Sequence, residues 1–140
     1  MDLSPAVNQQ TLADFLATEF PQNRCTLEEV DADGSVVVAH PVGEGELRPG
    51  GTVSGPTLMA LADFAMYVVL LSAIGPVGLA VTTNLNINFL RKGAAGADVL
   101  AEARLLKLGK RLAVGEVALL SGESPDPIAH VTATYSIPNA

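Results

Sequence analysis

Apolar and polar residues alternate along this chain first with a helical and then with a strand-like spacing. The segment 6–20 has apolar residues three or four positions apart, which predicts a short amphipathic helix ended by Pro21: Leu12, Phe15, Leu16 and Phe20. Residues 26–30 and 35–40 flank the turn-forming stretch Asp31-Ala32-Asp33-Gly34, and this arrangement predicts a β-hairpin.

A glycine-rich loop and a long apolar segment follow the hairpin. Residues 41–55 are rich in glycine and short of apolar residues, which is typical of a loop, and loops of this kind often carry function. Residues 56–74 are almost all apolar, so they predict a helix that is buried on most faces. Proline suits the first helical position, Ser54 or Gly55 can provide the cap, and Gly75-Pro76-Val77-Gly78 ends the helix.

The last third of the chain has four β-rich segments separated by turn residues, at 81–90, 99–108, 112–120 and 128–137. These predict an antiparallel meander of four strands. One very apolar helix before four strands favours an α+β fold in which a curved antiparallel sheet wraps around the central helix. The length of 140 residues fits a single domain, with residues 1–25 as an N-terminal helical segment.

Composition and charge narrow the functional classes. Hydrophobic residues make up 49% of the chain and charged residues 16%, which favours contacts between subunits of a homo-oligomer. A net charge of −7, with no basic run longer than two, argues against a nucleic-acid partner. The single Cys25 excludes an internal disulfide and is typical of a reducing compartment. The N-terminus lacks the pattern of a signal peptide, so we expect a cytoplasmic protein.

Asp63 is the only charged residue in the apolar segment 56–74. An acid in the middle of a membrane span is costly, so the segment predicts a buried helix of a soluble protein and no membrane contact. Burying a carboxylate is also unfavourable unless it is paired or hydrogen-bonded. Three interpretations remain open at this stage: a structurally hydrogen-bonded Asp, a catalytic base or nucleophile, or a metal ligand. The third lacks a second carboxylate or His at helical spacing.

The start of the same helix offers backbone amides for a developing negative charge, since a helix N-terminus is electropositive. Gly55 is the expected donor, with Thr57 beyond it, because Pro56 has no N–H. An ordinary helix cap is the alternative. Gly55 and Asp63 are eight residues apart, about 12 Å along a helix, so one chain cannot bring both to one carbonyl carbon. A shared site therefore needs a dimer with two antiparallel helices.

Several segments together resemble the hotdog-fold acyl-CoA thioesterases of the PaaI-like (phenylacetic-acid-degradation) type. The family pattern Gly-Thr-x-His-Gly-Gly, four variable residues, Leu-Ala-Asp is matched by Gly51-Thr52-Val53-Ser54-Gly55-Pro56 and, after four residues, Leu61-Ala62-Asp63. The segments 83–91, 108–111 and 129–135 resemble the family's strand after the helix, its Gly-basic turn and its last strand. The resemblance covers about residues 45–137.

This resemblance implies hydrolysis of acyl-CoA by a homodimer or homotetramer. It implies that Asp63 attacks the thioester or activates water, and that the Gly55 amide of the partner subunit polarises the carbonyl. No metal or redox cofactor is expected, and coenzyme A enters only as part of the substrate. Ser54 and Pro56 replace the family's His and Gly. The alternative is therefore a non-catalytic acyl-CoA or acyl-carrier binding protein; a dehydratase is disfavoured because no His lies near the helix.

Further substrate-binding candidates come from the same segments. Ser54, Thr57 and Asn84 lie within them, and Tyr67 lies one turn after Asp63 on nearly the same face, where it could bond the carboxylate or line the acyl pocket. Basic residues at two strand ends are candidates for the phosphates of coenzyme A, or are ordinary solvated turn residues: Arg91, Lys92, Lys110 and Arg111. The two histidines, His40 and His130, are interpreted as structural.

Overall fold

In the part of the chain that the structure describes, two α-helices and eight strands build the fold. The computed structural model describes residues 2–76 and 79–138, so Val77 and Gly78 of the predicted helix stop lie outside the described residues. In chain order the elements are α1 (Gln9–Glu19), β1 (Thr26–Val30), β2 (Val36–His40), β3 (Leu47–Arg48), β4 (Thr52–Val53), α2 (Gly55–Ile74), β5 (Val81–Phe89), β6 (Val99–Leu108), β7 (Leu112–Ser121) and β8 (Pro127–Ser136).

These bounds confirm the predicted elements closely. The loop predicted at 41–55 has structure of its own, because a 3-10 helix (Glu44–Glu46) leads into the two-residue strands β3 and β4. The two strands pair with each other and hold the turn 49–51 close to the start of α2. This small hairpin delivers the chain into the long helix.

The predicted four-strand meander is wrong for β5. The six-stranded sheet has the order β1-β2-β6-β7-β8-β5, so β6, β7 and β8 form a meander while β5 pairs with β8 at the edge. The segment 90–98 carries the chain from this edge to the central strand β6. The reason is burial: alternate residues of β6 are fully buried, which needs a neighbour on both sides, whereas most of β5 is exposed.

Helix α2 lies against the concave face of the sheet, where it contacts β2, β5, β6, β7 and β8. By length and composition α2 could cross a membrane, and no other helix of the described residues could. Most of α2 is buried inside the fold. Its buried side chains, together with those of the inward rows of the strands, form the hydrophobic core. The apolar character of α2 is thus explained by its central place, as the sequence predicted.

Helix α2 and the sheet approach closely at Gly115 of β7, and this approach gives a stability prediction. A Cβ at this position would lie 2.5 Å from the Met66 Sδ and 2.9 Å from the carbonyl oxygen of Arg104. We expect Gly115→Ala to lower the free energy of unfolding by about 1–3 kcal/mol through overpacking. Gly45→Ala, where nothing lies within 4 Å of the added atom, is the matched control in urea denaturation. Equal midpoints for both variants would contradict this packing.

Candidate active site

Asp63 is anchored through one of its two carboxylate oxygens. The Thr82 hydroxyl donates to Oδ1 at 2.5 Å, and the Tyr135 hydroxyl donates to the same oxygen at 2.7 Å. Tyr135 also lies 3.0 Å from the backbone carbonyl oxygen of Asp63. Within residues 2–76 and 79–138, Oδ2 has no hydrogen-bond partner. The two hydroxyls therefore orient the half-buried carboxylate and leave one oxygen available for chemistry.

Tyr135, one of the two anchors, is itself fixed in the core. It is 3% exposed and stands on the inward row of β8 with Val131 and Ala133. Burial raises the pKa of the Tyr135 hydroxyl, and the neighbouring Asp63 carboxylate raises it further. The hydroxyl therefore stays protonated at neutral pH and acts as a donor.

Tyr67 does not take the role of bonding the carboxylate. Its hydroxyl is buried and has no hydrogen-bond partner in the part of the chain that the structure describes. Burial raises the pKa of Tyr67, and the negative charge of Glu19 adds to this effect. Its ring packs edge-on against Phe20, with 5.4 Å between ring centroids. Tyr67 is thus an aromatic wall residue beside Asp63.

Asp63 opens into a cleft of about 460 Å³ between α2 and the first residues of β5. The cleft is predominantly apolar and aromatic, and it is lined by Phe20, Ala60, Asp63, Phe64, Tyr67, Ala80, Val81, Thr82 and Tyr135. Phe20 directly follows α1, so the N-terminal segment of the chain contributes to this site. An apolar cavity beside an anchored carboxylate suits the acyl part of a substrate better than a charged group.

The N-terminus of α2 presents one free amide. Ser54 is the N-cap: its hydroxyl oxygen accepts the Thr57 N–H at 3.3 Å and lies 2.8 Å from the Thr57 hydroxyl. Pro56 has no N–H. No acceptor for the Gly55 N–H is found among the described residues, so this donor stands at the positive end of a 20-residue helix without a partner.

A second cleft, of about 400 Å³, lies beside Gly55 and contains three cationic side chains, Arg48, Arg91 and Lys92. Arg91 also donates through Nη1 to the carbonyl oxygen of Pro127 at 2.7 Å, which fixes its position. Lys110 and Arg111 are not part of this cleft. They lie in the turn between β6 and β7, at the end of the sheet where β5 starts and with β8 in between, whereas Arg91 follows the end of β5. Within one chain the length of β5, roughly 30 Å, separates the two basic pairs.

The structure places Asn84 on the edge strand, away from the Asp63 cleft. Its neighbours Leu85 and Ile87 pack against the core, so the alternation of side chains turns Asn84 to the opposite face, where its amide oxygen accepts from Asn86 at 2.9 Å. The two histidines are both hydrogen-bonded. His130 lies 3.1 Å from Glu116, and His40 lies between Cys25 and Glu46.

Sequence reasoning missed Thr82 and Tyr135, which are distant from Asp63 along the chain. The position of Tyr135 could have indicated such a contact. It is on the inward side of a strand, and a buried phenol hydroxyl needs a hydrogen-bond partner. The described residues contain no group of three or more His, Cys, Asp or Glu side chains arranged to hold a metal ion.

The two halves of the predicted site lie at opposite ends of β5. A Cβ on Gly55 would be 3.2 Å from the ring of Phe89, the last residue of the strand, whereas Asp63 bonds to Thr82 near its start. The outer edge of β5 pairs with no other strand of the described chain. The fold therefore holds the free amide and the anchored carboxylate apart within one subunit, at the two ends of an open sheet edge.

Comparisons with known proteins agree with this architecture. A crystal structure of a candidate thioesterase from Silicibacter sp. TM1040 is 42% identical, with a TM-score of 0.89, and the match covers 99% of this chain and 97% of that one. The phenylacetic acid degradation protein PaaI from Thermus thermophilus, solved as a mutant, is 27% identical, with a TM-score of 0.72 over 86% of this chain and 99% of that one.

Sequence comparison identifies the family. A candidate esterase of Thermoplasma acidophilum is 30% identical over 91 residues, which is 65% of this chain and 67% of that protein. The family model of the Thioesterase superfamily matches residues 50–128, a segment that includes α2 with Gly55 and Asp63. The chain therefore belongs to the Thioesterase superfamily and has the hotdog fold of its PaaI-like members, as its sequence motifs indicated.

Proposed function

We propose that this protein hydrolyses acyl-CoA thioesters to a free acid and coenzyme A, with Asp63 as the catalytic carboxylate. One observation carries the proposal: a carboxylate on the central helix is held through Oδ1 by Thr82 and Tyr135, while Oδ2 has no partner among the described residues and lies beside an apolar cleft. Membership of the Thioesterase superfamily supports thioester hydrolysis as the reaction class.

The free oxygen can act in either of two ways. As a nucleophile, Oδ2 forms a bond to the thioester carbonyl carbon, the C–S bond breaks, and water then hydrolyses the mixed anhydride. As a general base, Oδ2 takes a proton from a water molecule while the water oxygen attacks the same carbon. In both routes the sulfur leaves as the coenzyme A thiolate, and the carbonyl oxygen becomes negatively charged in the transition state. This charge needs a donor close to it.

The Gly55 N–H of a partner subunit is our candidate for that donor. If β5 pairs with β5 of a second copy across a two-fold axis, the end of one strand lies beside the start of the other. Gly55, which lies next to Phe89, would then stand near Asp63 of the partner subunit, which is bonded to Thr82. The open edge of β5 and its exposed apolar residues Val81 and Phe89 support such a homodimer.

The same pairing bears on coenzyme A binding. It would bring Arg91 and Lys92 of one subunit toward Lys110 and Arg111 of its partner, because these pairs flank the two ends of β5. Together with Arg48 these residues would form a basic rim for the phosphates of coenzyme A. The proposed role of the four basic residues therefore rests on the dimer.

A double substitution tests the basic rim. We expect Arg48→Ala with Lys92→Ala to raise KM for acetyl-CoA about tenfold or more, because charge-assisted contacts to phosphate are lost. KM for the truncated thioester S-acetyl-N-acetylcysteamine, which carries no phosphate, should stay within about twofold. Lys107→Ala, which removes an exposed charge from β6, is the control. A parallel rise of KM for both substrates would contradict the assignment.

Removal of the Tyr135 hydroxyl tests the anchoring of Asp63. Tyr135→Phe deletes a donor to a carboxylate, and such bonds are worth about 1.5–3 kcal/mol, so we expect kcat to fall about 10- to 100-fold. Tyr67→Phe is a matched control in the same cleft, because its hydroxyl has no partner among the described residues. Steady-state release of the free thiol measures both variants. A Tyr67→Phe loss as large as that of Tyr135→Phe would contradict a specific role for Tyr135.

A panel of short-chain, long-chain and aromatic acyl-CoAs distinguishes hydrolysis from the alternative of a binding protein. The departures at Ser54 and Pro56 leave the Gly55 N–H in place, and the Ser54 hydroxyl serves as helix cap, which favours a catalytic protein. We expect thiol release from at least one class of acyl-CoA. Tight binding without turnover across the whole panel would favour the acyl-CoA or acyl-carrier binding protein instead.

A further inference from the structure

Cys25, His40 and Glu46 form a continuous hydrogen-bonded chain of side chains separate from Asp63. Cys25 precedes β1, His40 ends β2 and Glu46 ends the 3-10 helix, so the fold brings three segments together. The Cys25 Sγ lies 3.4 Å from the His40 Nδ1, and the His40 Nε2 lies 2.6 Å from the Glu46 Oε2. The thiol and the carboxylate thus occupy the two nitrogens of one imidazole.

The carboxylate end of this chain is fixed from two further directions. Glu46 Oε1 accepts from the Arg24 guanidinium at 2.8 Å and from the Gly43 N–H at 2.9 Å. Burial opposes ionisation of Glu46, but these bonds and its contact with His40 lower the pKa of the carboxyl group. Glu46 is therefore an ionised acceptor that holds the His40 Nε2–H and orients the ring.

The thiol end is protonated at rest. Burial, together with the negative charge of Glu46, raises the pKa of Cys25 to about 11. A protonated S–H group can donate to the His40 Nδ1, and in the tautomer that accepts this bond the Nε2 carries the proton directed at Glu46. This arrangement can activate a neutral nucleophile during attack. The imidazole accepts the proton of the thiol, and the carboxylate orients the imidazole.

Cys25 lies at the junction of two cavities. One, of about 360 Å³, contains His40 and Glu46 and borders the first turns of α2 at Pro56, Thr57 and Ala60. The other, of about 240 Å³, runs under α1 and is lined mainly by apolar side chains, among them Leu16, Phe20 and Leu27. Both cavities are lined mainly by apolar surface, so a substrate whose reacting carbon sits at Cys25 would have space for its acyl group on one side of the thiol and for its leaving group on the other.

Asn23 supplies the remaining group that such a reaction needs. It lines both cavities beside Cys25, and its side-chain oxygen accepts the Cys25 backbone N–H at 3.2 Å. This bond leaves the side-chain NH2 group as a donor for a carbonyl oxygen placed at the thiol.

We propose that Cys25, His40 and Glu46 form a second nucleophilic site, at which Cys25 accepts an acyl group from a thioester. The Cys25 sulfur forms a bond to the thioester carbonyl carbon while its proton passes to the His40 Nδ1. The original C–S bond then breaks, and the departing thiolate takes the proton from His40. The products are an S-acylated Cys25 and a free thiol, so the step needs no oxidant or other co-reactant.

The test uses the Asp63→Asn protein, so that its result is independent of the function proposed for Asp63. We expect incubation with S-acetyl-N-acetylcysteamine to add one acetyl group per chain, located at Cys25 by peptide mass spectrometry and released by neutral hydroxylamine. Asp63→Asn with Cys25→Ser should gain none. Adding His40→Gln should slow acetylation about 100-fold or more, because the general base is lost.

Glu46→Gln in the same Asp63→Asn background is a milder change, since an amide oxygen still accepts from His40, and it should slow acetylation less than His40→Gln. Melting temperatures show whether each variant is folded. If the His40→Gln variant does not fold, the Glu46→Gln variant still provides the test. Acetylation at another residue, no acetylation, or equal rates with and without the His40 and Glu46 substitutions would overturn the proposal. Hydrolysis that persists in Asp63→Asn with Cys25→Ser would instead contradict the function proposed for Asp63.

Discussion

Replacement of Asp63 by Asn is expected to lower kcat for acyl-CoA hydrolysis by about 10³ while the protein stays folded. Asn has the same shape, and its amide oxygen can still accept from Thr82 and Tyr135, so the anchoring bonds are kept. The oxygen proposed to act as nucleophile or base is lost, because the group that replaces Oδ2 is an NH2. The expected loss is therefore chemical and not structural. Steady-state release of free thiol, with a thermal melt of the same sample, measures both quantities.

Asp14→Asn is the control for a change of charge alone, since Asp14 is an exposed residue of α1 that does not line the Asp63 cleft. It should leave kcat within about twofold of the wild-type value, as expected for a surface substitution. Wild-type turnover by Asp63→Asn would remove Asp63 from the mechanism. A large loss in both variants would show that net charge, and not the Asp63 oxygen, controls the rate.

Gly55→Pro has the second largest expected effect, because it removes the free amide of α2 and keeps the helix. Proline is favoured at the first helical position, and Ser54, with φ −70° and ψ 150°, has the backbone conformation that a following proline requires. Loss of one donor to a developing oxyanion lowers kcat by about 10²- to 10³-fold, and we expect a loss of this size here.

Gly55→Ala is the matched control for this substitution. Both variants place a Cβ 3.2 Å from the ring of Phe89, so the effect of that contact is common to them, but alanine retains the N–H. We expect Gly55→Ala to keep kcat within about tenfold of wild type, since its only change is the contact of the added Cβ with Phe89. Equal losses in the two variants would assign the effect to contact with Phe89 and would argue against the amide.

The elements of the fold were predictable because hydrophobic spacing and turn residues are local signals. The apolar run of α2, ended at Gly75, predicted a buried helix that the structure confirms. The place of β5 was not predictable from spacing, because its alternating pattern suits either a hairpin with β6 or the edge beside β8. The choice between these two placements of β5 depends on which strand needs a neighbour on both sides. Packing of the strands against α2 decides it.

The site was predictable only where a single residue departs from its local pattern. Asp63 stands out as the one charge in an apolar helix, whereas Thr82 and Tyr135 are ordinary strand residues that reach it only in the folded sheet. Cys25 and His40 gave no such signal: Cys25 served only to exclude an internal disulfide, and His40 was interpreted as structural. The β1–β2 hairpin brings them together, and Glu46 joins them from the loop that follows.

The most direct test of the account is complementation between subunits, because its central claim is that Gly55 of one chain serves Asp63 of another. Co-expression of Asp63→Asn and Gly55→Pro chains with different tags allows the mixed dimer to be purified through both tags. In this dimer one Asp63–Gly55 pair is intact and the other carries both substitutions. It should therefore have about half of the wild-type activity, although each parent is nearly inactive. A mixed dimer no more active than its parents would contradict the shared site.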